Sequence, residues 1–187
     1  MTEVTAVGLC GSLRRGSLNT ALLNAAVSAG QPRIDLRVFD LAPVPMYNQD
    51  LESDGDPEPV AVLKAAVRQA DLVVIATPEY NSGLPGVLKN ALDWVSRPPR
   101  PQAWDGKPVA VMGATPGGFG TTLAQAQLRA SLAHAGAHAM PLPRMMLSRA
   151  GQAFTEVGAL ADSRTEERLS GFMAAAADWA VRFRTGD

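Results

Sequence analysis

The chain has 187 residues, of which 47% are hydrophobic and 19% are charged, and its formal net charge is −1 at pH 7. This length fits one domain, and the composition allows a large hydrophobic core. A near-neutral charge argues against nucleic acid or an anionic membrane as the main partner, and no apolar run is long enough for a bilayer span. The single cysteine, Cys10, cannot form an internal disulfide, so we expect a protein of the reducing cytoplasm.

The first part of the chain alternates an apolar strand with an amphipathic helix. Thr5–Cys10, to which Val4 can add, is predicted as the first strand, and leucines at helical spacing predict a helix over Leu18–Ala29. Ile34–Phe39 alternates and carries β-branched residues, which predicts the second strand. Leu41–Pro59 is rich in Pro and Asp and is predicted as a long surface loop.

The middle of the chain continues this alternation. A second helix is marked by Val60, Leu63, Ala66 and Val67. The unbroken apolar run Leu72–Ala76 is typical of a strand buried on both faces. Pro85 is expected in the first turn of the next helix, and Pro98 and Pro99 end that helix.

The last part of the chain has weaker strand signals. Val109–Gly113 is predicted as the fourth strand, and a helix through Leu123, Leu128 and Leu132 follows it. Ala137–Leu142 is a weaker fifth strand, and Pro143–Leu160 has no regular pattern. Ser163 and Glu166 have the spacing of a capping box. The final helix that they would open carries an apolar stripe of Leu169, Phe172, Met173, Ala176, Ala180 and Phe183.

Alternating strands and helices predict an α/β protein in which helices cover both faces of a parallel sheet. Five strands fit the flavodoxin-like order 2-1-3-4-5, so we predict one three-layer domain over residues 1–187. Ligands of such sheets bind beyond the carboxyl ends of the strands. Three loops should meet there: loop one (Gly11–Ser17), loop two (Thr77–Leu84) and loop three (Ala114–Gly120).

Loop one resembles a phosphate-binding loop but lacks the residues for phosphate hydrolysis. Gly11 and Gly16 have the spacing of a P-loop, yet Ser17 stands where that motif requires lysine, and a G-x-G-x-x-G dinucleotide pattern is absent. A cysteine phosphatase needs an arginine six positions after its cysteine, where this chain has Gly16. Cys10 is therefore predicted to be a small buried apolar residue.

The remaining interpretation of loop one is a site that holds phosphate without cleaving it. Ser12, Ser17, Asn19 and Thr20 offer side-chain donors, Arg14 offers charge, and the helix N-terminus offers backbone N–H groups. The alternative is an ordinary helix cap at Ser17 beside solvent-facing arginines.

Loops two and three have compositions suited to a flat heterocycle. In loop two, Pro78 stiffens the chain, Gly83 permits a tight turn, and Tyr80 and Asn81 offer stacking surface and edge hydrogen bonds. The alternative is that Tyr80 packs on the next helix. The glycines of loop three allow a ligand to approach the backbone closely, although a flexible turn would have the same composition.

Three segments resemble the NAD(P)H-dependent FMN reductase family, which includes quinone, azo-dye and chromate reductases. They are Gly11-Ser-Leu-Arg-x-Gly-Ser-x-Asn19, Thr77-Pro-Glu-Tyr-Asn81 and Leu84-Pro-Gly-x-Leu-Lys-Asn-Ala-Leu-Asp-Trp94. The likeness covers most of the chain and weakens after residue 120. It implies a flavodoxin-like fold, non-covalent FMN, and NADPH or NADH as co-substrate.

By motif position, the resemblance implies a set of FMN-binding residues. The phosphate would be held by Ser12, Arg14, Ser17, Asn19 and Thr20. The isoalloxazine and ribityl groups would lie along Pro78, Glu79, Tyr80, Asn81 and Ser82. Thr115, Pro116, Gly117 and Gly118 would approach the other side of the ring, although Pro116 has no N–H to offer.

Relatives of this kind form homodimers or homotetramers, often with FMN near the subunit boundary. Trp94 and Pro45-Met-Tyr-Asn48 are candidates for that contact, and burial of Trp94 against its own sheet is the alternative.

The resemblance implies that FMN takes hydride from the nicotinamide and passes two electrons to a quinone or a similar small molecule such as an azo dye, a metal oxyanion or free flavin. We assign no catalytic side chain and no metal ligand. His134 and His138 fall away from the three loops, and Glu79 is either a catalytic carboxylate or a loop anchor. The alternatives are a flavodoxin-type electron carrier, which is usually more acidic, and a non-catalytic FMN-binding protein.

Overall fold

The computed structural model describes residues 4–98, 101–156 and 158–184; Pro99, predicted to help end a helix, lies outside them. The strands are β1 (Val4–Cys10), β2 (Ile34–Phe39), β3 (Leu72–Ala76), β4 (Pro108–Ala114), β5 (His138–Ala139) and β6 (Met145–Leu147). The helices are α1 (Leu18–Gly30), α2 (Gln49–Ser53), α3 (Glu58–Gln69), α4 (Gly86–Val95), α5 (Thr122–His134) and α6 (Ser163–Val181).

The sheet is parallel and has the order β2-β1-β3-β4-β5. Helices α1 and α6 pack on one face, and α3, α4 and α5 pack on the other, so that each face buries its own apolar cluster. The predicted flavodoxin-like architecture is therefore confirmed. The strand order reverses beside β1, and the carboxyl ends of β1, β3 and β4 lie side by side at that position.

The fifth position of the sheet is occupied by two short strands rather than by one. Val109 pairs with Ala139, whereas Met112 pairs with Met145. The two β4 residues are three positions apart, but their partners in β5 and β6 are six positions apart. Pro141 and Pro143 lie in this interval, and neither can donate a ladder hydrogen bond. The predicted strand Ala137–Leu142 is thus shortened to two residues, and β6 forms within the segment that had no regular pattern.

Two local predictions require correction. The segment predicted as loop, Leu41–Pro59, contains α2, which Asn48 caps by accepting from the Asp50 N–H at 2.9 Å. The cap of α6 is Asp162 rather than a Ser163–Glu166 box, because the extended Asp162 places its carboxylate 2.9 Å from the Thr165 N–H.

Helix α4 begins one residue later than predicted. Pro85 is its N-cap, with extended backbone, rather than a residue of its first turn. No helix within residues 4–98, 101–156 and 158–184 has both the length and the hydropathy that crossing a bilayer requires.

Candidate functional site

The three loops meet at the carboxyl edge of the sheet and surround a cavity of about 180 Å³. Nine of the predicted site residues line it: Ser12, Arg14, Ser17, Asn19, Pro78, Glu79, Tyr80, Thr115 and Pro116. Leu18 and Ala114, which were not predicted, complete the lining. The other predicted residues, Thr20, Asn81, Ser82, Gly117 and Gly118, lie in or beside the same loops but do not line this cavity.

The backbone of loop one presents free N–H groups at the start of α1. Gly16 has a left-handed φ of +46°, and Ser17 then caps the helix from an extended conformation. Among the residues described, the N–H groups of residues 15, 16 and 18 form no hydrogen bond within the protein, and residues 15 and 16 form a turn before the helix. Consecutive unpaired N–H groups at a helix N-terminus form an anion-binding concavity.

The side chains of loop one are arranged around this concavity. The hydroxyl oxygen of Ser17 accepts from the N–H groups of Asn19 and Thr20 at 3.2 and 3.3 Å, so Ser17 caps α1. This cap uses the lone pairs of the oxygen and leaves its proton to be donated elsewhere. The Ser12 hydroxyl accepts from the Arg14 N–H at 3.4 Å, and the Arg14 side chain is exposed.

Asn19 and Thr20 have contacts within the protein. Asn19 is 3% exposed; its Nδ2 donates to the Ala114 carbonyl and its Oδ1 accepts from the Ala114 N–H, both at 2.9 Å. The Thr20 hydroxyl lies 3.4 Å from the sulfur of Cys10, which is buried as predicted. Both side chains therefore attach loop one and the start of α1 to the sheet.

Loop two makes a tight turn with two residues in the left-handed region. Tyr80 and Gly83 exchange backbone hydrogen bonds of 3.2 and 2.9 Å, and between them Asn81 and Ser82 have φ values of +49° and +61°. These are the features of a type I′ turn, which disfavours residues with side chains. The left-handed residues are thus Asn81 and Ser82, whereas Gly83 does not have positive φ. The Tyr80 side chain remains 54% exposed rather than packed on the next helix.

Glu79 anchors loop two to the N-terminus of α5. One carboxylate oxygen accepts from the N–H groups of Leu123 and Ala124 at 2.8 and 3.0 Å. The N-cap residue of α5, Thr121, has a left-handed φ of +62° and provides no side-chain cap, so Glu79 supplies the missing acceptor. Of the two roles predicted for Glu79, the structure favours the loop anchor.

Gln127 is a second link between α5 and loop two, and the sequence analysis did not identify it. Its Oε1 accepts from the Leu84 N–H at 2.9 Å, and its Nε2 donates to the Ser82 carbonyl at 3.4 Å. Nothing in the sequence near Gln127 marks it, because its partners are backbone groups 43 and 45 residues away.

Loop three is held from behind by the segment that the sequence left without a pattern. The Thr115 N–H donates to the Leu147 carbonyl, and the Thr115 carbonyl accepts from Ala150, both at 2.9 Å. The Gly117 carbonyl accepts from Arg149 at 2.9 Å. Strand β6 and the turn after it therefore determine where loop three lies.

Gly113, in β4, is a further residue that the sequence analysis missed. An added Cβ there would overlap Thr121 Oγ1 and the Thr77 carbonyl oxygen. A glycine within an apolar strand is a known sign of such close approach. This contact lets the ends of β3 and β4 and the start of α5 converge behind the cavity.

Trp94 is fully buried and holds the Pro45–Asn48 segment within its own subunit. Its indole N–H donates to the Pro45 carbonyl at 2.8 Å, and its ring contacts the Tyr47 ring edge-on at 4.9 Å. Asn90 binds the same segment through the Tyr47 N–H and the Pro45 carbonyl. Of the two roles predicted for Trp94, the structure therefore shows burial. Asn90 and Trp94, the two residues of the Leu84–Trp94 motif that form hydrogen bonds to this segment, therefore position it.

Comparison with known proteins identifies similar chains along nearly the whole length. A model of the family described as NADPH-dependent FMN reductase matches residues 4–152. An NAD(P)H-dependent FMN reductase of Pseudomonas aeruginosa is 40% identical over 182 residues, which cover 97% of this chain and 98% of that protein. A 2-hydroxy-1,4-benzoquinone reductase of a Burkholderia species is 38% identical over 90% of this chain and 92% of its own.

A solved structure shows the same similarity in three dimensions. The flavoenzyme NAD(P)H:acceptor oxidoreductase of Paracoccus denitrificans superposes with a TM-score of 0.89 at 37% identity, over 96% of this chain and 98% of that one. The likeness thus includes loops one, two and three and the segment behind loop three.

Proposed function

The chain belongs to the NADPH-dependent FMN reductase family and is an NAD(P)H-dependent flavin oxidoreductase with a small-molecule electron acceptor, and from this premise we propose that the acceptor is a quinone. Quinone reductases recur among its relatives. The observation that carries the site assignment is the convergence of all three loops on one cavity. We further propose that residues 1–187 form one FMN-binding domain.

The residues of loop one fit a phosphate monoester. The Ser12 and Ser17 hydroxyls, the Arg14 guanidinium and the Leu18 N–H are donors of residues that line one side of the cavity. Hydrogen bonds between a charged donor and phosphate are stronger than those between neutral groups. We assign the phosphate to this end, with Thr20 beneath it.

The other end of the cavity fits the edge of a flat ring that extends beyond it. Ligand pockets usually measure about 300–1000 Å³, so a cavity of about 180 Å³ holds only part of a mononucleotide. The ring would continue across the turn of Tyr80, Asn81 and Ser82 and against Thr115–Gly118. Pro78, which lines the cavity, is buried below this path.

When bound, FMN supplies the redox chemistry, accepting a hydride from the nicotinamide and returning two electrons to the acceptor. The protein residues bind and orient it. The one carboxylate among the lining residues, Glu79, is engaged with the α5 N-terminus. We therefore assign Glu79 a positioning role, and the protons that a quinone needs would come from solvent at the open side of the cleft.

The near-neutral charge favours this enzyme over an electron carrier. The formal net charge is −1, with 17 basic and 18 acidic residues. A carrier that docks on a partner reductase relies on a strongly charged surface for steering. A small-molecule reductase has no such requirement.

We also propose a homodimer or homotetramer that acts in the cytoplasm. Each of the three loops presents one exposed large apolar side chain: Leu13 at 58%, Tyr80 at 54% and Phe119 at 85% exposure. Apolar groups gathered around a cleft are typical of an interaction surface. The buried, unpaired Cys10 is compatible with a reducing compartment.

The deciding experiment is the visible spectrum of the purified protein before and after anaerobic addition of NADPH or NADH. We expect a yellow protein, or one that FMN turns yellow, and bleaching by the nicotinamide without a second protein. Colour should return on addition of benzoquinone, over many turnovers. A protein that takes up no FMN contradicts the site assignment, and one that binds FMN but is not reduced supports a carrier or a non-catalytic flavoprotein.

Arg14 provides the sharpest test of the phosphate assignment. Replacement by alanine should weaken FMN binding by about 1.5–3 kcal/mol, or about 10- to 150-fold, because a charged hydrogen bond is lost. The measurement is fluorescence titration of the apoprotein. Arg15→Ala is the matched control, since Arg15 is adjacent and exposed but does not line the cavity. Equal affinities for the two variants would remove Arg14 from the site.

A further inference from the structure

We infer that Asn19 is a positioning residue that stands in for a missing strand partner of β4, rather than a ligand of the FMN phosphate. This inference rests on the proposed function and deepens it, because it assigns a separate role to one residue of the site. The assignment depends on how the Asn19 amide, the end of β4 and the end of β3 meet.

Strand β3 ends two residues too early to pair with the last residue of β4. The final ladder bond between them runs from the Thr77 N–H to the Met112 carbonyl, at 2.9 Å. The chain then turns away through Pro78, which has no N–H. In a strand, alternate residues direct their N–H and carbonyl to the same neighbour, so Ala114 directs both groups to the side that β3 has left.

Asn19 fills this position. Its Oδ1 accepts from the Ala114 N–H and its Nδ2 donates to the Ala114 carbonyl, each at 2.9 Å, and the residue is 3% exposed. A primary amide carries a donor and an acceptor side by side, as a peptide group does. Without Asn19, two buried backbone groups of Ala114 would lack partners, which is costly.

This pair of hydrogen bonds sets the distance between the two ends of the cofactor site. Asn19 lies in the first turn of α1, directly after the loop-one residues to which we assign the phosphate, and Ala114 begins loop three. The two residues are 95 positions apart in sequence. Asn19 therefore fixes where the ring-binding loop starts relative to the phosphate, and its loss should disturb ring and phosphate binding together.

Riboflavin separates the two roles because it has the flavin ring but no phosphate. We expect Asn19→Ala to weaken binding of FMN and of riboflavin by the same factor, about tenfold, as for the loss of hydrogen bonds between buried groups. Arg14→Ala should weaken FMN binding alone. In the saturated Asn19→Ala protein, the visible circular dichroism of bound FMN should also change, whereas saturated Arg14→Ala should keep the wild-type spectrum.

The Asn19→Asp variant provides a second measurement that does not depend on the alanine variant folding well. Its carboxylate cannot donate to the Ala114 carbonyl, but its protonated form can. Riboflavin affinity should therefore recover as the pH falls towards about 4–5 in Asn19→Asp and not in Asn19→Ala.

Asp71→Asn, at the opposite edge of the sheet, is the control for a general loss of stability and should leave both flavin affinities unchanged. The inference is overturned if the Asn19 variants lose affinity for FMN while riboflavin binds as in the wild type, since that pattern belongs to a phosphate ligand. A wild-type chain that takes up neither flavin would instead overturn the proposed function, and this inference with it.

Discussion

Single residues in this site act mainly through backbone groups of other loops. Asn19 binds the backbone of Ala114, and Glu79 binds the N–H groups of Leu123 and Ala124. Gly113 acts by having no side chain, which lets the Thr77 carbonyl approach. In loop one, the polar side chains that line the cavity are those of Ser12, Arg14 and Ser17. A polar residue in the sequence motif is therefore not automatically a ligand.

Gly113→Ala tests the close approach behind the cavity. The added methyl group would overlap a backbone carbonyl, which cannot move away as a flexible side chain can, so we expect a loss of about 1–3 kcal/mol in unfolding free energy and weaker FMN binding. Urea denaturation and FMN titration measure the two effects.

Gly171→Ala is the matched control for this change. Gly171 lies exposed in α6, with no atom near an added Cβ and with ordinary φ. Alanine there should raise the unfolding free energy by up to about 1 kcal/mol, because it favours the helix. Equal urea midpoints for Gly113→Ala and the wild type would contradict the packing argument.

At the scale of elements, α5 is the support against which loop two is set. Its N-terminus receives the Glu79 carboxylate, and Gln127, one turn further on, holds Leu84 and Ser82. The left-handed Asn81 and Ser82 lie between these two attachments. A strained turn persists only where its surroundings hold it, so α5 determines the shape of the surface that we propose binds the ring.

Glu79→Ala should destabilise the protein by about 0.5–2 kcal/mol, the range for loss of a helix cap. Amide hydrogen exchange should quicken at Leu123 and Ala124, because their N–H groups lose their acceptor. Glu79→Gln keeps an acceptor oxygen and should retain most of the protection. Unchanged exchange in Glu79→Ala would mean that the carboxylate does not cap α5.

Asp71 directly precedes β3 and therefore lies at the amino-terminal edge of the sheet, opposite the three loops. Burial opposes ionisation of this carboxyl, but hydrogen bonds from Thr5 and Arg184 outweigh that effect and hold the Asp71 pKa below its ordinary value. A depressed pKa contributes stability at pH values above the ordinary one and loses it as the pH falls through the folded-state pKa.

Asp71→Asn should therefore lower the melting temperature at pH 7, and the difference from the wild type should shrink below about pH 4, where free aspartate protonates. Thermal denaturation of both proteins from pH 7 to pH 3 measures this. A difference that stays constant with pH would show that the charge of Asp71 contributes nothing.

At the scale of the whole molecule, the exposed apolar side chains of the three loops make the cofactor edge the expected oligomer contact. If Phe119 is buried between subunits, Phe119→Arg should shift the protein towards monomer in sedimentation velocity and weaken flavin binding. Val62→Arg, on the exposed face of α3, is the control, since Val62 is 52% exposed and belongs to none of the three loops. An unchanged oligomer in Phe119→Arg would contradict this contact.

Much of the fold follows from local pattern, and each prediction that was wrong has an identifiable physical cause. The bounds predicted for β2 and β3 match those observed, because an alternating stretch such as β2 or an apolar run such as β3 is defined by its own residues. The sequence predicts the fifth strand as one piece. Its interruption shows only in the pairing with β4, where Pro141 and Pro143 fall between β5 and β6 and cannot donate ladder hydrogen bonds. The cap at Asp162 was missed because Ser163 is an equally good capping residue by type.

Sequence pattern predicts the alternation of strands and helices, the place of the three loops and the chemistry expected of them. Those properties depend on periodicity, turn residues and motifs, all of which are short-range. The fold is needed to show that Asn19 binds Ala114, that Glu79 caps α5 and that β6 supports loop three. In each case the partner is a backbone group, 95 positions away for Asn19 and 44 and 45 for Glu79. Every residue type has a backbone carbonyl, and every type except proline has an N–H. Only the folded positions of the chain therefore select these partners.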